Sequence, residues 1–198
     1  MLQTLPKSDS TLIGMNRAEL CQALGERPDA RWRAGQIAKW LYGKAASSFE
    51  EMRDLPLTMR MELAAAHRIN PLETARHLKA SDGVEKLLVH GGDGNLFECV
   101  LLPYADRVSC CISSQVGCPM GCTFCATGLG GFDRNLSAGE IVAQYLMLQR
   151  LTDRRISHVV FMGMGEPLLN MKNLLKALGL LHDEVGLSYR HITVSTVG

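Results

Sequence analysis

The sequence has no long hydrophobic run. Its 198 residues nowhere contain the roughly 20 consecutive apolar residues that a transmembrane helix requires. The N-terminal segment MLQTLPKSDS lacks a basic region followed by an apolar stretch, so it does not resemble a secretory signal. These two absences predict a cytoplasmic protein that has no membrane partner.

The chain also lacks an excess of charge of either sign. The net charge is +1, and hydrophobic and charged residues make up 46% and 21% of the composition, as in an ordinary globular protein. The overall electrostatic field therefore gives no support for a polyanionic partner. RNA binding, if it occurs, has to come from a local patch.

A compact helical accessory domain is predicted at residues 1–75. Asn16 with Glu19, and Ser48 with Glu51, each have the spacing of a capping box at the start of a helix. Further helices are predicted over residues 34–44 and 58–67. The break of the last helix at an Asn-Pro pair ends this region before the pattern changes.

A β-hairpin connection is predicted at residues 76–106. The stretches 85–90 and 96–102 are rich in residues that favour strands. The segment between them, GGDGN, has the composition of a turn. We therefore expect this hairpin to link the helical domain to the C-terminal part of the chain.

Strands and helices alternate at residues 107–198. The predicted strands are 107–114, 157–162 and 191–196. Ser137 and Glu140 form a further capping box at the start of an intervening helix. This alternation predicts an α/β fold with right-handed crossovers. Because Gly198 follows the third strand with no helix to cover its apolar edge, we expect a chain truncated after that strand.

The seven cysteines are unevenly distributed. They occupy positions 21, 99, 110, 111, 118, 122 and 125. Five of them lie between Cys110 and Cys125, whereas a disulfide framework spreads its cysteines through a small secreted chain. Such a concentration in a cytosolic protein favours metal or redox chemistry.

The motif C-P-M-G-C-T-F-C places Cys118, Cys122 and Cys125 on one short loop. Three thiolates at this spacing can hold three corners of a [4Fe–4S] cluster, whose usual sites have four cysteines. The remaining iron would be open, as in catalytic metal sites. Gly121 would let the backbone wrap closely around the cluster, and Phe124 would exclude water from one side.

Two other interpretations of this motif are a structural zinc site and a pair of disulfides. Zinc prefers four ligands, commonly in two pairs, and here there is one C-x-x-C pair with no histidine nearby. Disulfides are disfavoured in the cytosol. The spacing and its context favour the iron–sulfur cluster.

The cysteine loop resembles the signature of the radical S-adenosylmethionine (SAM) superfamily. More closely, C-I-S-S-Q-V-G-C-P-M-G-C-T-F-C-A-T-G (111–128) and G-F-D-R-N-L (131–136) resemble the bacterial RNA adenine C2-methyltransferases of the RlmN/Cfr family. The stretches at 97–103, 160–170 and 192–198 match the same family in the same order. The resemblance covers essentially the whole chain, as the N-terminal portion of such a protein.

The resemblance implies a fold, an activity and partners. The fold is a partial radical-SAM (βα) barrel, and the activity is methylation of C2 of adenosine in 23S rRNA and tRNA. The cofactors are a [4Fe–4S] cluster and SAM, which is cleaved to a 5′-deoxyadenosyl radical before a methyl-cysteine passes its carbon to the base. An electron donor such as flavodoxin or ferredoxin is implied, and we expect a monomer.

The resemblance also assigns residues to the cofactors. Cys118, Cys122 and Cys125 match the cluster ligands. Gly165 and Glu166, in the G-M-G-E-P turn, match SAM-binding positions, and a carboxylate there can pair with the SAM ammonium. Ser195 matches a SAM-contacting serine. Without the family, the turn would be an ordinary glycine-rich β–α connection and Ser195 a strand-end hydroxyl.

Two further residues acquire catalytic roles through the resemblance. Glu98 matches the proton acceptor, which is needed because adding a carbon to the ring leaves a proton to remove. Cys111 matches a cysteine that forms a transient disulfide and releases the methylated RNA. A solvated strand glutamate and a small buried hydrophobe are the alternatives. We interpret Cys21, Cys99 and Cys110 as core residues.

The sequence departs from the family in one respect. The family methylates a second cysteine near its C-terminus, and this sequence has no cysteine after Cys125. We therefore expect the chain to lack part of the catalytic apparatus. A C8-methylating relative resembling Cfr and a non-catalytic iron–sulfur module that binds RNA or carries electrons are the alternative functions.

A candidate RNA contact lies at residues 31–44, which contain no acidic residue. Its cations and aromatics are Arg31, Trp32, Arg33, Lys39, Trp40, Tyr42 and Lys44. This composition suits phosphate contact and base stacking. A buried tryptophan beside a solvated cationic surface would explain it equally well.

Overall fold

The structure, a computed structural model, describes residues 10–197. Its main feature is a six-stranded mixed sheet in the order β1-β2-β3-β4-β7-β8, and β5 and β6 form a separate antiparallel pair. The strands are β1 (Glu73–Lys79), β2 (Glu85–His90), β3 (Leu96–Pro103), β4 (Val108–Cys111), β5 (Gln115–Gly117), β6 (Phe132–Asn135), β7 (Ile156–Phe161) and β8 (Ile192–Val194). Strands β1 to β4 pair antiparallel, whereas β4, β7 and β8 run parallel.

Six α-helices accompany the strands within residues 10–197. They are α1 (Arg17–Ala23), α2 (Ala30–Ala38), α3 (Leu57–Ala66), α4 (Ala126–Leu129), α5 (Ala138–Gln149) and α6 (Met171–Asp183). A π-helical turn, Lys39–Gly43, continues α2, so the helix predicted over 34–44 is present but wound differently at its end. No helix within residues 10–197 is long and apolar enough to cross a membrane.

Two of the three predicted capping boxes are confirmed. The side chains of Asn16 and Ser137 each accept the N–H of the glutamate three residues later, and that glutamate accepts in return. The prediction for Ser48 was wrong, because its side chain makes no cap. Glu51 instead accepts from the backbone N–H and hydroxyl of Ser47, at 3.1 and 2.8 Å.

Strand β1 was missed by the sequence analysis. All of its residues are exposed, so its sequence, ETARHLK, has no alternation of apolar and polar positions to reveal it. It pairs with β2, which buries every second residue. The strand crosses the predicted boundary between residues 1–75 and 76–106, and that division stays a prediction.

The sheet has one face against the helices and one open face. Side chains alternate along β3, where Phe97, Cys99 and Leu101 are buried in the core and Glu98 and Val100 are half-buried on the other side. Cys111 lies opposite Val100 in the register of β3 and β4, so it shares the open face with Glu98. Val160 of β7 pairs with Cys111 and continues this face.

The N-terminal helical region packs directly on the helices that cover the sheet. Gly139 of α5 lies so close to Gly14 that a Cβ on Gly139 would be 2.6 Å from the carbonyl oxygen of Ile13. Tyr42 fixes the same loop, because its hydroxyl accepts from Gly14 N–H and donates to Met15 O, at 3.0 and 2.6 Å. One continuous hydrophobic core therefore runs through both parts.

Candidate metal and cofactor site

The predicted metal and cofactor residues lie at one edge of the sheet. The parallel strands β4, β7 and β8 end at Cys111, Phe161 and Val194. The cysteine loop follows β4, the G-M-G-E-P turn follows β7, and Ser195 follows β8. Ligands of parallel α/β folds bind at the carboxyl ends of the strands, so the topology gathers these residues where a cofactor is expected.

The cysteine loop is closed by the β5–β6 pair. The N–H of Cys118 donates to Gly131 O at 2.7 Å, and the N–H of Cys125 donates to Cys122 O at 3.0 Å. Gly117, with φ of +73°, faces the backbone of Gly131 so closely that a side chain there would collide with it. The backbone therefore holds the three thiols, each half-buried and free, on a single compact loop.

Strand β6 is fixed by the guanidinium of Arg134. It makes a two-pronged ion pair with Glu140 of α5, at 3.0 and 2.7 Å, and also contacts Asp93 in the β2–β3 turn. These carboxylates raise the pKa of Arg134. One cation thus ties the closing strand of the loop to the hairpin and to the start of a buried helix.

Backbone hydrogen bonds favour the thiolate form of Cys125. The backbone N–H groups of Gly128 and Thr127 face it at the start of α4 and lower its pKa, which favours the thiolate that binds metals. Within residues 10–197 no three His, Cys, Asp or Glu side chains converge on a single ion site, as zinc would require. The donor set suits a [4Fe–4S] cluster, which takes cysteine thiolates as ligands, because three free cysteines lie on this one loop.

Apolar side chains surround the loop without covering it. Phe124 is 90% exposed and Leu129 is 86% exposed, and Met120 and Phe132 are partly exposed beside them. The ring of Phe124 is exposed, and its predicted role in excluding water from one side of the cluster stays a prediction. The loop presents an apolar rim that a bound group or a partner would have to cover.

The G-M-G-E-P turn is built against the segment that precedes the cysteines. Gly165 has φ of +102°, and a Cβ there would be 2.6 Å from Cβ of Gln115. The carbonyl oxygen of Met164 accepts from the N–H groups of Ser114 and Gln115, at 2.9 and 3.2 Å. The close approach that this glycine permits is thus to Gln115.

The buried carboxylate of Glu166 links the segment after β7 to the segment after β8. Glu166 is 5% exposed, and its carboxylate accepts from the N–H groups of Leu168 and Val197, both at 3.1 Å. Burial acts to raise the pKa of Glu166, but the Thr196 side chain and those two N–H groups outweigh it and hold the pKa below 4.5. The carboxylate is therefore ionised at neutral pH, and a ligand ammonium would share it with these donors.

Ser195 lies at the exposed end of the neighbouring strand. Its N–H donates to Phe161 O at 3.4 Å, which keeps it beside the end of β7. The residue is exposed on the same edge as the cysteine loop and the turn. Its position is compatible with the predicted cofactor contact, which stays a prediction.

Glu98 and Cys111 lie on the open face of the sheet. Both carboxylate oxygens of Glu98 accept from Lys86 Nζ, at 3.2 and 3.3 Å. Burial raises the pKa of Cys111, although Met162 N–H opposes this, so Cys111 is a protonated thiol at neutral pH. All seven cysteines are free, and the predicted disulfide of Cys111 has no partner within residues 10–197.

The remaining cysteines are packing residues. Burial raises the pKa of Cys99 to about 12 and that of Cys110 well above its ordinary value. Both are buried in the core, and Cys21 packs against it from a half-buried position. The interpretation of these three residues is confirmed.

The sequence analysis missed a buried polar segment, Ser113-Ser114-Gln115. These side chains are at most 2% exposed. Asn170 Nδ2 reaches them from the start of α6 and donates to Ser114 O at 2.8 Å and to Leu136 O at 2.7 Å. The available signal was three consecutive polar residues where an apolar strand leads into the cysteine motif.

The residues of the candidate RNA patch do not share one environment. Trp32 is 60% exposed, and the guanidinium of Arg33 lies 4.4 Å from its ring centroid. Lys44 lies 3.4 Å from the ring centroid of Trp40, which is half-buried. Tyr42 is buried and structural. The exposed Trp32 leaves RNA contact by this patch a prediction, and neither tryptophan is fully buried as the alternative interpretation supposed.

Comparison with known families identifies two regions. Residues 10–69 match the model of the ribosomal RNA large subunit methyltransferase N-terminal domain. Residues 112–198 match the model of the radical SAM superfamily.

Individual relatives match over the whole chain. A probable dual-specificity RNA methyltransferase RlmN from Rhodopirellula baltica is 47% identical over 100% of this chain and 56% of its own length. The dual-specificity RNA methyltransferase RlmN from Halorhodospira halophila is 45% identical over 94% of this chain and 53% of its own length. The chain thus spans about half the length of the curated relatives that it matches.

A solved structure has the same fold. The crystal structure of a radical SAM methyltransferase from Sphaerobacter thermophilus superposes with a TM-score of 0.90 at 40% identity, covering 96% of this chain and 57% of that one. The family resemblance found in the motifs is confirmed, together with an α/β fold that has a partial sheet. The truncation of the barrel stays a prediction.

Proposed function

We propose that this chain, a radical SAM protein of the RlmN type, forms the cluster- and cofactor-binding part of an enzyme that methylates C2 of adenosine in 23S rRNA and tRNA. One observation carries the proposal: three free thiols on a closed loop lie at the same sheet edge as a glycine-rich turn with an ionised carboxylate. In this proposal the sheet would be the first part of a (βα) barrel, and the parallel pairing of β4, β7 and β8 supports it.

Cys118, Cys122 and Cys125 would hold a [4Fe–4S] cluster through three of its irons. When bound, the cluster supplies the electron that cleaves SAM. The protein contributes the thiolate character of Cys125 and the β5–β6 closure that keeps the three thiols together. An electron donor such as flavodoxin or ferredoxin would reach the cluster from outside this chain.

The SAM molecule would lie between the cysteine loop and the ends of β7 and β8. Glu166 would offer its ionised carboxylate to the SAM ammonium beside the N–H groups of Leu168 and Val197. Gly165 would contribute its backbone, since the space of its missing side chain is filled by Gln115. Ser195 offers a hydroxyl from the next strand. Each of these groups follows the carboxyl end of a parallel strand, as the cysteines do.

The open face of the sheet would receive the adenine. Glu98 is the proposed proton acceptor for the ring, and Lys86 holds its carboxylate through both oxygens. Cys111 lies on the same face and would form the transient disulfide with a cysteine outside this sequence. The raised pKa keeps the Cys111 thiol protonated at neutral pH. Since the thiolate is the reactive form, this proton has to be removed before Cys111 reacts.

RNA would also contact the exposed part of the 31–44 patch. Trp32 is 60% exposed, and the guanidinium of Arg33, which also pairs with Asp29 at 2.8 Å, lies 4.4 Å from its ring centroid. The exposed ring suits an unpaired base, and the exposed Arg31 and Lys39 of the same patch suit phosphates. We propose a cytoplasmic monomer that reads RNA through this patch and the open sheet face.

Electron paramagnetic resonance on the anaerobically reconstituted, reduced chain tests the proposal, with and without SAM. We expect a cubane signal that shifts when SAM binds the open iron. Cys118→Ser should lose the signal, whereas Cys21→Ser, which changes a cysteine outside the loop, should keep it. Zinc binding in place of a cluster, or a cluster indifferent to SAM, would contradict the proposal.

A further inference from the structure

Gln115 joins the cofactor turn to the cluster loop through one side-chain amide. Its Oε1 accepts from the backbone N–H of Glu166 at 2.8 Å, and its Nε2 donates to Asn135 Oδ1 of β6 at 2.7 Å. The residue is 1% exposed, so water does not compete for its buried bond to Glu166, whereas the bond to the exposed Asn135 is only partly buried. Among the described residues that the sequence analysis passed over, it alone makes a side-chain bond to each of these two elements.

The direction of this amide is dictated by its neighbours. A backbone N–H can only donate, so Glu166 requires the oxygen of the Gln115 amide on its side. The NH2 group then faces Asn135, whose side chain must present its own oxygen. An inverted amide would place two donors together at Glu166, which leaves a buried group unsatisfied.

Backbone packing holds the same contact from the other side. Gly165 leaves no room for a Cβ, since that atom would be 2.6 Å from Cβ and 2.8 Å from Cγ of Gln115. Met164 O accepts from Gln115 N–H at 3.2 Å. The turn is therefore attached to Gln115 at three consecutive residues.

We infer that Gln115 is a positioning residue for SAM, which sets the turn at 163–166 in register with the cysteine loop. The inference rests on the proposed function. A cofactor that binds the open iron and the turn together requires a fixed separation between them. Gln115 fixes this separation, because its amide oxygen is hydrogen-bonded to the turn and its amide nitrogen is hydrogen-bonded to β6, the strand that closes the loop.

Calorimetric titration of SAM into the anaerobically reconstituted chain tests this inference. Gln115→Met keeps the length of the side chain but removes both hydrogen bonds, and we expect SAM to bind about tenfold more weakly. Gln149→Met is the matched control. Gln149 is half-buried, accepts from Ile156 N–H at 2.8 Å and donates to Arg154 O at 3.0 Å, and its side-chain hydrogen bonds do not involve the turn, β6 or Ser113. It should lower the thermal midpoint comparably and leave the SAM affinity unchanged.

Asn135 provides a second pair of variants, and because Asn135 is exposed, substituting it does not disturb the hydrophobic core. Asn135→Leu removes the acceptor that orients the Gln115 amide, so it should weaken SAM binding about threefold or more. Asn135→Asp keeps an acceptor oxygen and should restore nearly all of the affinity. This pair keeps the inference testable if Gln115→Met does not fold.

The outcomes separate this inference from the proposed function. Wild-type affinity in both Gln115→Met and Asn135→Leu would overturn the role of Gln115 and leave the proposed function standing. Equal loss of affinity in Gln115→Met and Gln149→Met would also overturn it, since that pattern indicates a general loss of structure. Absence of SAM binding to the wild-type chain would overturn both.

Discussion

The hydroxyl of Ser113 donates to the main-chain carbonyl of Glu98 across 2.6 Å. The hydroxyl oxygen also accepts from the N–H of Met164 at 2.8 Å. Glu98 lies on β3 and Met164 lies in the turn after β7, on opposite sides of β4 in the sheet. One buried hydroxyl therefore sets the strand of the proposed base against the turn of the proposed cofactor site.

Ser113→Ala should destabilise the fold by about 1–3 kcal/mol. The change leaves Met164 N–H without its acceptor and the Glu98 carbonyl without its donor, both beside a side chain that is 0% exposed. Unfolding in urea measures the effect. Ser81→Ala, at an exposed turn, is the control and should remain within about 0.5 kcal/mol of the wild type. Equal stabilities of the two variants would refute the importance of this hydroxyl.

Two helical glycines should respond to alanine with opposite signs. A Cβ on Gly139 would be 2.6 Å from Ile13 O, so Gly139→Ala forces apart the helical region and α5, at about 1–3 kcal/mol. Gly179 of α6 has nothing within 4 Å of the corresponding point. Gly179→Ala should therefore stabilise the chain by about 0.5–1 kcal/mol through helix propensity. The denaturant midpoints of the two variants measure these effects. A Gly139→Ala variant as stable as the wild type would show that α5 and the N-terminal helical region are loosely packed against each other.

Local sequence signals predicted the helices that begin with a capping box and the strand whose side chains alternate between apolar and polar. Asn16 and Ser137 cap helices with a glutamate three residues later, and β2 alternates buried and open positions. Strand β1 was not predicted, because a fully exposed edge strand has no alternation of apolar and polar residues that the sequence could reveal. The capping box predicted at Ser48 is absent, because Glu51 accepts hydrogen bonds from the neighbouring Ser47 instead. Residue spacing alone does not show which of the two serines bonds to the glutamate.

The site was predicted only at the level of its types of residue. Spacing alone placed the cysteines on one loop, but their closure by Gly117 and Gly131 depends on a β5–β6 pairing across the loop. The burial of Glu166 and the bridge made by Gln115 are long-range contacts, each joining residues 31 or 51 positions apart. Such pairings are set by the tertiary fold, and no local pattern in the sequence indicates them.

Glu166 should make the fold sensitive to acid. Its folded pKa is depressed below 4.5, so its contribution to stability is fully present above that value and is lost as the pH falls through the lower folded value. Glu166→Gln should be less stable than the wild type at pH 7, with a difference that shrinks between pH 5 and acid unfolding. Unfolding in urea at a series of pH values measures this convergence. Glu26→Gln, at an exposed position, should run parallel to the wild type throughout.

The cysteines of the unloaded chain should differ in their rates of alkylation. Gly128 and Thr127 N–H groups lower the pKa of Cys125, whereas burial raises that of Cys111, so at pH 7 the thiolate is far more abundant at Cys125. With iodoacetamide and peptide mapping by mass spectrometry, we expect Cys125 to react about tenfold faster or more, even though a thiolate of lower pKa is a weaker nucleophile. The gap should narrow as the pH rises toward the raised pKa of Cys111. Cys110, which is 0% exposed, is the internal control and should remain unmodified until the chain unfolds. Faster reaction at Cys111 than at Cys125 at pH 7 would mean that the backbone at the start of α4 does not favour the thiolate, and the preparation of the loop for a metal cluster would lose its electrostatic basis.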